Sequence, residues 1–260
     1  MPLLDHLVEL RQRLIYAAIA LGVTFALCFY FEKYIFNFLA QPLADLLLKE
    51  TGRRFIYTGL TEVLFTQIKV ALFGAAMLSF PILASQIWMF VAPGLYKNER
   101  SAFLPFLIAT PILFLVGSAF LYYVMMPFAW RFFLSYQTPG GPDSLPVQLE
   151  ARVSEYITLV MKLIFAFGLS FQLPVLLTLL IRANIISSAS LVSKRRYAIV
   201  GVFIFAAIVT PPDPVSQVSL AIPLLLLYES SIWAGRWVEK QRAKREKEAE
   251  AELRKDIASV

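Results

Sequence analysis

Two glutamates, Glu9 and Glu99, are the side chains best placed to do chemistry in a chain whose residues are 58% hydrophobic. Each falls just beyond the end of a long apolar run, and a carboxylate at the edge of a lipid-soluble body needs a partner or a purpose. A cationic ligand arriving at the membrane surface would supply one. Catalysis finds no comparable set. The one histidine, His6, and the one cysteine, Cys28, cannot build a zinc site, a histidine-dependent triad or an internal disulfide. With no nucleophile and base in prospect, the chain is expected to be no enzyme and to need no metal or cofactor.

Taken singly, each glutamate also has a plain explanation. Glu9 stands four residues after Asp5 and four before Arg13, the spacing of an ordinary helix-surface pair. Glu99 lies in Pro93-Gly94-Leu95-Tyr96-Lys97-Asn98-Glu99-Arg100, a turn followed by charge, where it serves equally as a solvated loop residue or a helix cap. Among the other polar residues, Lys69 and Lys162 fall near span ends and read as snorkelling to the interface. Gln172 sits in mid-span, where an amide wants an interhelical partner, as structural glue or as a functional group. Gln67, Gln86 and Gln217 invite the same two readings.

Long apolar runs must position these residues. They lie at about 14–31, 63–91, 103–133, 156–181, 197–210 and 215–233. The first is long enough to cross a bilayer and too long for a typical signal-peptide core, so it reads as an uncleaved anchor. The expected fold is therefore all-α: a polytopic integral membrane protein of six transmembrane helices in a concave bundle. Residues 1–238 form the membrane domain, and 239–260 a charged cytoplasmic tail. Lys and Arg number sixteen on the side that holds both termini and six on the other, and eight of the sixteen stand from Arg236 onward. Both termini are thus expected in the cytoplasm. The formal charge is +6, and the basic residues are clustered at span ends and in the tail, so lipid headgroups, not nucleic acid, are the expected counter-ions.

Between the first two spans, the apolar run 34–48 is interrupted by Pro42 and Asp45 and reads as a helix lying across the outer face. The tail reads as a solvated helix or a disordered segment with no specific job. Prolines at 81, 105, 111, 127, 174 and 223 are expected to bend four of the spans. The fifth and sixth spans are short. Fourteen residues from Tyr197 to Thr210 rise about 21 Å, against about 30 Å of hydrocarbon, and Glu229 interrupts the sixth. Such a hairpin must be shielded by neighbours, sink, or thin the bilayer beside it.

Five stretches, in order, resemble the TatC family of the twin-arginine protein translocase. They are His6-Leu7-Val8-Glu9-Leu10-Arg11; Phe90-Val91-Ala92-Pro93-Gly94-Leu95-Tyr96-Lys97-Asn98-Glu99-Arg100; Phe167-Gly168-Leu169-Ser170-Phe171-Gln172-Leu173-Pro174; Lys194-Arg195-Arg196-Tyr197; and Thr210-Pro211-Pro212-Asp213 with Ser216-Gln217. The likeness covers nearly the whole chain up to the tail. It implies a receptor and core subunit in the bacterial cytoplasmic membrane that binds twin-arginine signal peptides. With single-span partners of the TatA and TatB type, it would export folded proteins on the proton motive force, self-associating in a larger complex. Carried over by motif, Glu9 and Glu99 would form the signal-peptide site, supported by Phe90 and by Lys194, Arg195 and Arg196. Thr210, Asp213 and Gln217 would contact the single-span partners. Gln172 departs from the family, which often has glutamate there, and a neutral amide carries no proton.

Guanidinium groups bind carboxylates in pairs of hydrogen bonds and keep their charge, so two carboxylates at a fixed separation prefer Arg-Arg over Lys-Lys. An exposed pair contributes only about 0–1 kcal/mol, which leaves the apolar part of the peptide to supply affinity. The competing reading is a secondary transporter of a small solute or ion. It would need ionisable residues deep in the bundle and an internal repeat, and neither is evident.

Overall fold

The structure is a computed structural model that describes residues 3–47, 54–95, 104–138, 140–141, 145–210 and 213–258. Ten α-helices follow one another among them: α1 (Leu3–Tyr30), α2 (Glu32–Leu47), α3 (Glu62–Leu95), α4 (Leu104–Phe120), α5 (Met126–Leu134), α6 (Val153–Ser170), α7 (Leu173–Arg182), α8 (Ser188–Ser193), α9 (Arg195–Val209) and α10 (Pro214–Ala258). Two isolated β-bridges, Ile56 with Arg152 and Thr138 with Val147, are the remaining regular pairings described. Five stretches are long and apolar enough to cross a membrane: 7–30, 62–90, 105–134, 153–182 and 214–245. The protein is thus all-α and multi-pass. A helix also stands at the fifth expected span, but its 15 residues rise about 22 Å, less than a bilayer core.

The contacts gather into two compact units, residues 1–169 and 170–260. In the first, α1 and α3 approach closely because small residues line the seam. Cys28, Ala71 and Ala75 are buried together against Leu21, Phe25 and Ile35. A Cβ on Gly74 would stand 3.2 Å from Cys28 Sγ and 2.9 Å from Ile35 Cδ1. Thr24 Oγ1 reaches across to Ala75 O at 3.3 Å. Small residues spaced by four, with a hydroxyl bonding between helices, are the usual means of joining helices where lipid removes the hydrophobic drive.

Proline alters the helices in three different ways. At Pro127 the helix widens: Leu121–Met125 form a π-helical turn, in which Met126 N–H donates to Leu121 O. At Pro174 it breaks. Proline has no N–H to continue the helical ladder, α6 ends at Ser170, and α7 restarts when Leu176 N donates to Gln172 O at 2.9 Å. Pro42 stays inside α2 and deprives Phe38 O of its helical donor. That carbonyl is capped from outside, by Tyr122 OH at 2.5 Å, with the Tyr122 ring stacked on Phe38 at 4.3 Å between centroids. Tyr156 OH donates to the next carbonyl, Leu39 O, at 3.3 Å.

At the start of α3, Glu62 gathers the chain around one carboxylate whose residue sequence reasoning passed over. Arg152 donates to it through Nε and Nη2, both at 3.1 Å, and Ser154 Oγ at 2.7 Å. Backbone N–H groups of Thr58, Gly59 and Ser154 complete the set at 3.0, 3.2 and 3.3 Å. The Glu62 carboxylate pushes the Arg152 guanidinium above its ordinary range, so the pair stays ionised. The parallel bridge of Ile56 with Arg152 lies alongside and joins the same two segments.

In the second unit, α7 and α10 pack around Ile181, Leu191 and Ile232, which are buried, with Leu177, Ile186, Val192 and Tyr228 against them. The α7 helix ends on Asn184, whose φ of 58° places it in the left-handed region that asparagine tolerates. Its N–H donates to Ile181 O, and Ile185 N to Leu180 O, each at 3.0 Å, so the last carbonyls are satisfied. α10 continues as helix through position 238 to Ala258.

Candidate functional site

Glu9 lies on α1, half-buried, and accepts from Arg13 Nη2 at 2.8 Å. The i to i+4 spacing makes that pair almost obligatory on a helix. Arg13 also reaches out: its Nη1 donates to Gln86 Oε1 on α3 at 3.5 Å. Phe90, also half-buried, is one turn further along α3 from Gln86. The same end of α3 is tied to α4, where Trp88 Nε1 donates to Thr110 Oγ1 at 2.8 Å. Glu9 and Phe90 thus belong to one packed end of the first unit, linked through Arg13 and Gln86. Glu99 lies outside the described residues, as does the stretch around it from Tyr96 to Phe103.

Lys194, Arg195 and Arg196 occupy the joint between α8 and α9. Lys194 ends one helix and begins the next, its N–H donating to Ser190 O and Leu191 O at 3.1 Å. Arg195 is engaged by α10, through Nη2 to Glu229 Oε2 at 2.7 Å. The guanidinium of Arg196 lies 4.9 Å from the centre of the Tyr197 ring and donates to the Tyr197 hydroxyl at 3.1 Å. Three cations adjacent in sequence therefore have three different surroundings. Arg195 has a carboxylate, Arg196 an aromatic face, and Lys194 is exposed. Glu229, read from sequence as an interruption of the sixth span, is the partner of a loop arginine.

Thr210 closes α9, its N–H and hydroxyl donating to Ala206 O at 2.9 and 2.8 Å. Asp213 opens α10. Its Oδ1 accepts from Ser216 N at 2.7 Å, and Pro214 follows it at the first helical position. This is an N-cap with proline where a donor is dispensable. Gln217, half-buried, donates its backbone N–H to Asp213 O at 3.2 Å. Gln172 stands at the break between α6 and α7, half-buried, with its carbonyl starting the new helix. No group of three metal-binding side chains occurs among the described residues.

Sequence reasoning missed Arg13 as the link from Glu9 to α3, and Trp88 as the tie from α3 to α4. The spacing of four marked Arg13 as the partner of Glu9, but neither its reach to Gln86 nor that of Trp88 to Thr110 had a local signal.

Comparison with known proteins identifies the scaffold. The profile of the TatC family, Sec-independent protein translocase protein, matches residues 5–223. TatC of Magnetococcus marinus is 49% identical over 98% of this chain and 91% of its own length. TatC of Escherichia coli K12 is 39% identical over 91% of this chain and 88% of its own. A crystal structure described as the twin-arginine translocase receptor TatC superposes with a TM-score of 0.77 at 38% identity, covering 90% of this chain and 99% of that one. On these grounds the chain belongs to the TatC family, the multi-pass membrane components of the Sec-independent protein translocase, a family of transport subunits and not of catalysts.

Proposed function

We propose that this subunit is the receptor of its translocase, in which Glu9 and Glu99 bind the paired arginines of a twin-arginine signal peptide. The single observation that supports it most is the state of Glu9. It is half-buried at one packed end of α1 and α3, on the same end of α3 as Phe90, and already holds a guanidinium, that of Arg13. A peptide arginine would exchange for that contact or share the carboxylate. An i to i+4 ion pair of this exposure is worth about 0–1 kcal/mol, so exchange meets little resistance. Glu99, which follows α3 in sequence, would take the second arginine, and Phe90 would offer an apolar surface near Glu9. Lys194, Arg195 and Arg196 would support the site from their own loop, Arg195 while paired with Glu229 at 2.7 Å.

In this reading the termini and the binding face lie in the cytoplasm of a bacterium, and the protein sits in its inner membrane. Single-span TatA and TatB type subunits meet it around Thr210, Asp213 and Gln217. Folded cargo crosses on the proton motive force, with copies of the protein associating in a larger complex. Gln172, as a neutral amide, carries no proton of its own.

Photo-crosslinking of a twin-arginine peptide tests the core of this. Glu9→Ala and Glu99→Ala should each lower the yield several-fold while the protein is inserted and folded normally. Unchanged yield in both variants overturns the assignment. Solute uptake by proteoliposomes containing this chain alone would favour the transporter instead.

A further inference from the structure

One stripe of α10 holds the segment between α7 and α9 residue by residue. Its positions are 228, 232, 235, 239 and 242, steps of four and three that keep them on one side of a helix. Tyr228 OH donates to Leu191 O at 2.8 Å. Ile232 is fully buried against Ile181 and Leu191. Gly235 lets the backbones close in, since a Cβ there would collide with Ile181 Cδ1 and stand 3.7 Å from Ser188 Cβ. Glu239 Oε1 accepts from Ser188 N at 2.8 Å, and its Oε2 from the Ser188 hydroxyl. Arg242 donates to Asn184 Oδ1 at the left-handed turn that ends α7. Glu229 reaches Arg195 from a neighbouring position.

Every turn of α10 from Tyr228 to Arg242 therefore has a partner in residues 181–195. The latter half of the stripe lies in the tail, for which the sequence suggested no role. A two-oxygen carboxylate contact to one serine, backbone and side chain together, is more than solvation of a surface charge requires. Charge-assisted bonds of this kind are the strong ones.

We infer that Glu239 is a positioning residue for the loop that carries Lys194 and Arg196, with Tyr228 and Gly235 completing the grip. It fixes the start of α8, and the short α8 passes that placement directly to Lys194 at its end. The tail base is then a splint: it touches no peptide and determines where the loop's cations stand. This rests on the reading of that loop as part of the peptide site.

The test uses the full chain in lipid nanodiscs, with hydrogen exchange and peptide crosslinking on the same samples. Losing a charge-assisted bond should speed exchange of the 184–193 amides by about tenfold or more in Glu239→Ala. Glu239→Gln, which keeps one carbonyl acceptor, should fall between that variant and the native protein. Amides of α3 should not change. A photoreactive residue at position 194 should crosslink a twin-arginine peptide several-fold less in Glu239→Ala, with partial rescue in Glu239→Gln, whereas one at position 8, beside Glu9, should keep its yield. Unaltered exchange over 184–193 overturns the splint, and so does faster exchange with unaltered crosslinking at 194. If the native protein gives no crosslink at 194 but a normal one at position 8, the loop's part in the peptide site is what fails, and exchange alone still decides the grip of Glu239.

Discussion

Pro42 and Tyr122 show how a single missing proton shapes this protein. Without an N–H at position 42, Phe38 O loses its helical donor inside a helix whose next residue, Leu39, is almost wholly buried. Tyr122 supplies the donor from the π-helical turn before Pro127, 84 residues along the chain. One proline thus makes a vacancy, and the turn preceding another carries the hydroxyl that fills it. A double-mutant cycle tests this exchange of donors directly. Tyr122→Phe should lower the unfolding free energy in detergent by about 1–3 kcal/mol, because it leaves the part-buried Phe38 carbonyl without a donor. In a Pro42→Ala background, the alanine N–H restores the ordinary helix bond, and the same substitution should then cost less than about 1 kcal/mol. Equal losses in both backgrounds would show that the hydroxyl does something other than replace the proline's missing donor. Glu9 is governed by the same kind of local accounting: its helix already provides the guanidinium at Arg13, so a receptor role requires exchanging or sharing that contact and not capture by a bare carboxylate.

At the scale of elements, α10 is the member with most to do. Its first turn is capped by Asp213, its middle pairs with Arg195, and its far turns grip the segment before α9. Asp213 therefore has a structural duty that any partner-binding role must be separated from. Replacing an N-cap aspartate by alanine removes about 0.5–2 kcal/mol, whereas asparagine keeps the accepting oxygen. Asp213→Ala should lower the melting temperature measurably, and Asp213→Asn should restore it. Crosslinking of a single-span partner at position 217 separates the two duties. If Asp213 serves as a cap alone, that yield should follow the melting temperature across both variants. Loss of crosslinking in Asp213→Asn with stability intact would show that the charge itself meets the partner.

For the whole molecule, what could be read from sequence was what periodicity and composition carry. The long apolar runs became helices, but α1 begins at Leu3 and α10 runs on to Ala258, well beyond the expected 14 and 233; the run 156–181 is broken between Ser170 and Leu173, and the run 34–48 became a helix of its own with Pro42 inside it. Contacts between remote residues could not be read in the same way. Glu62 meets Arg152 across 90 positions, Arg13 meets Gln86 across 73, and Glu239 meets Ser188 across 51. None has a spacing that marks it, since each depends on how helices are packed and not on how one helix repeats. The short α9 joins the two kinds of information, because length is a sequence property and the polar ends of its hairpin are set by packing; α10, expected to be short as well, is instead long enough to cross a membrane. Asp213 marks one end and the Arg195–Glu229 pair the other, with 15 residues of α9 between Lys194 and Thr210. At about 1.5 Å per residue that is about 22 Å, roughly 8 Å short of an undisturbed hydrocarbon core. With the Arg195–Glu229 end at one headgroup layer, Ile208, which is 67% exposed on the chain, would be buried in acyl chains unless the bilayer thins around it. In a Cys28→Ser background, Ile208→Cys should react with a membrane-impermeant maleimide at a rate within about tenfold of Tyr57→Cys, if local thinning brings water to the end of α9. A cysteine at 208 that stays unreactive in bilayers of ordinary thickness, yet reacts after transfer to detergent, would mean that the hairpin is sunk beneath an intact lipid surface and the membrane is not thinned there.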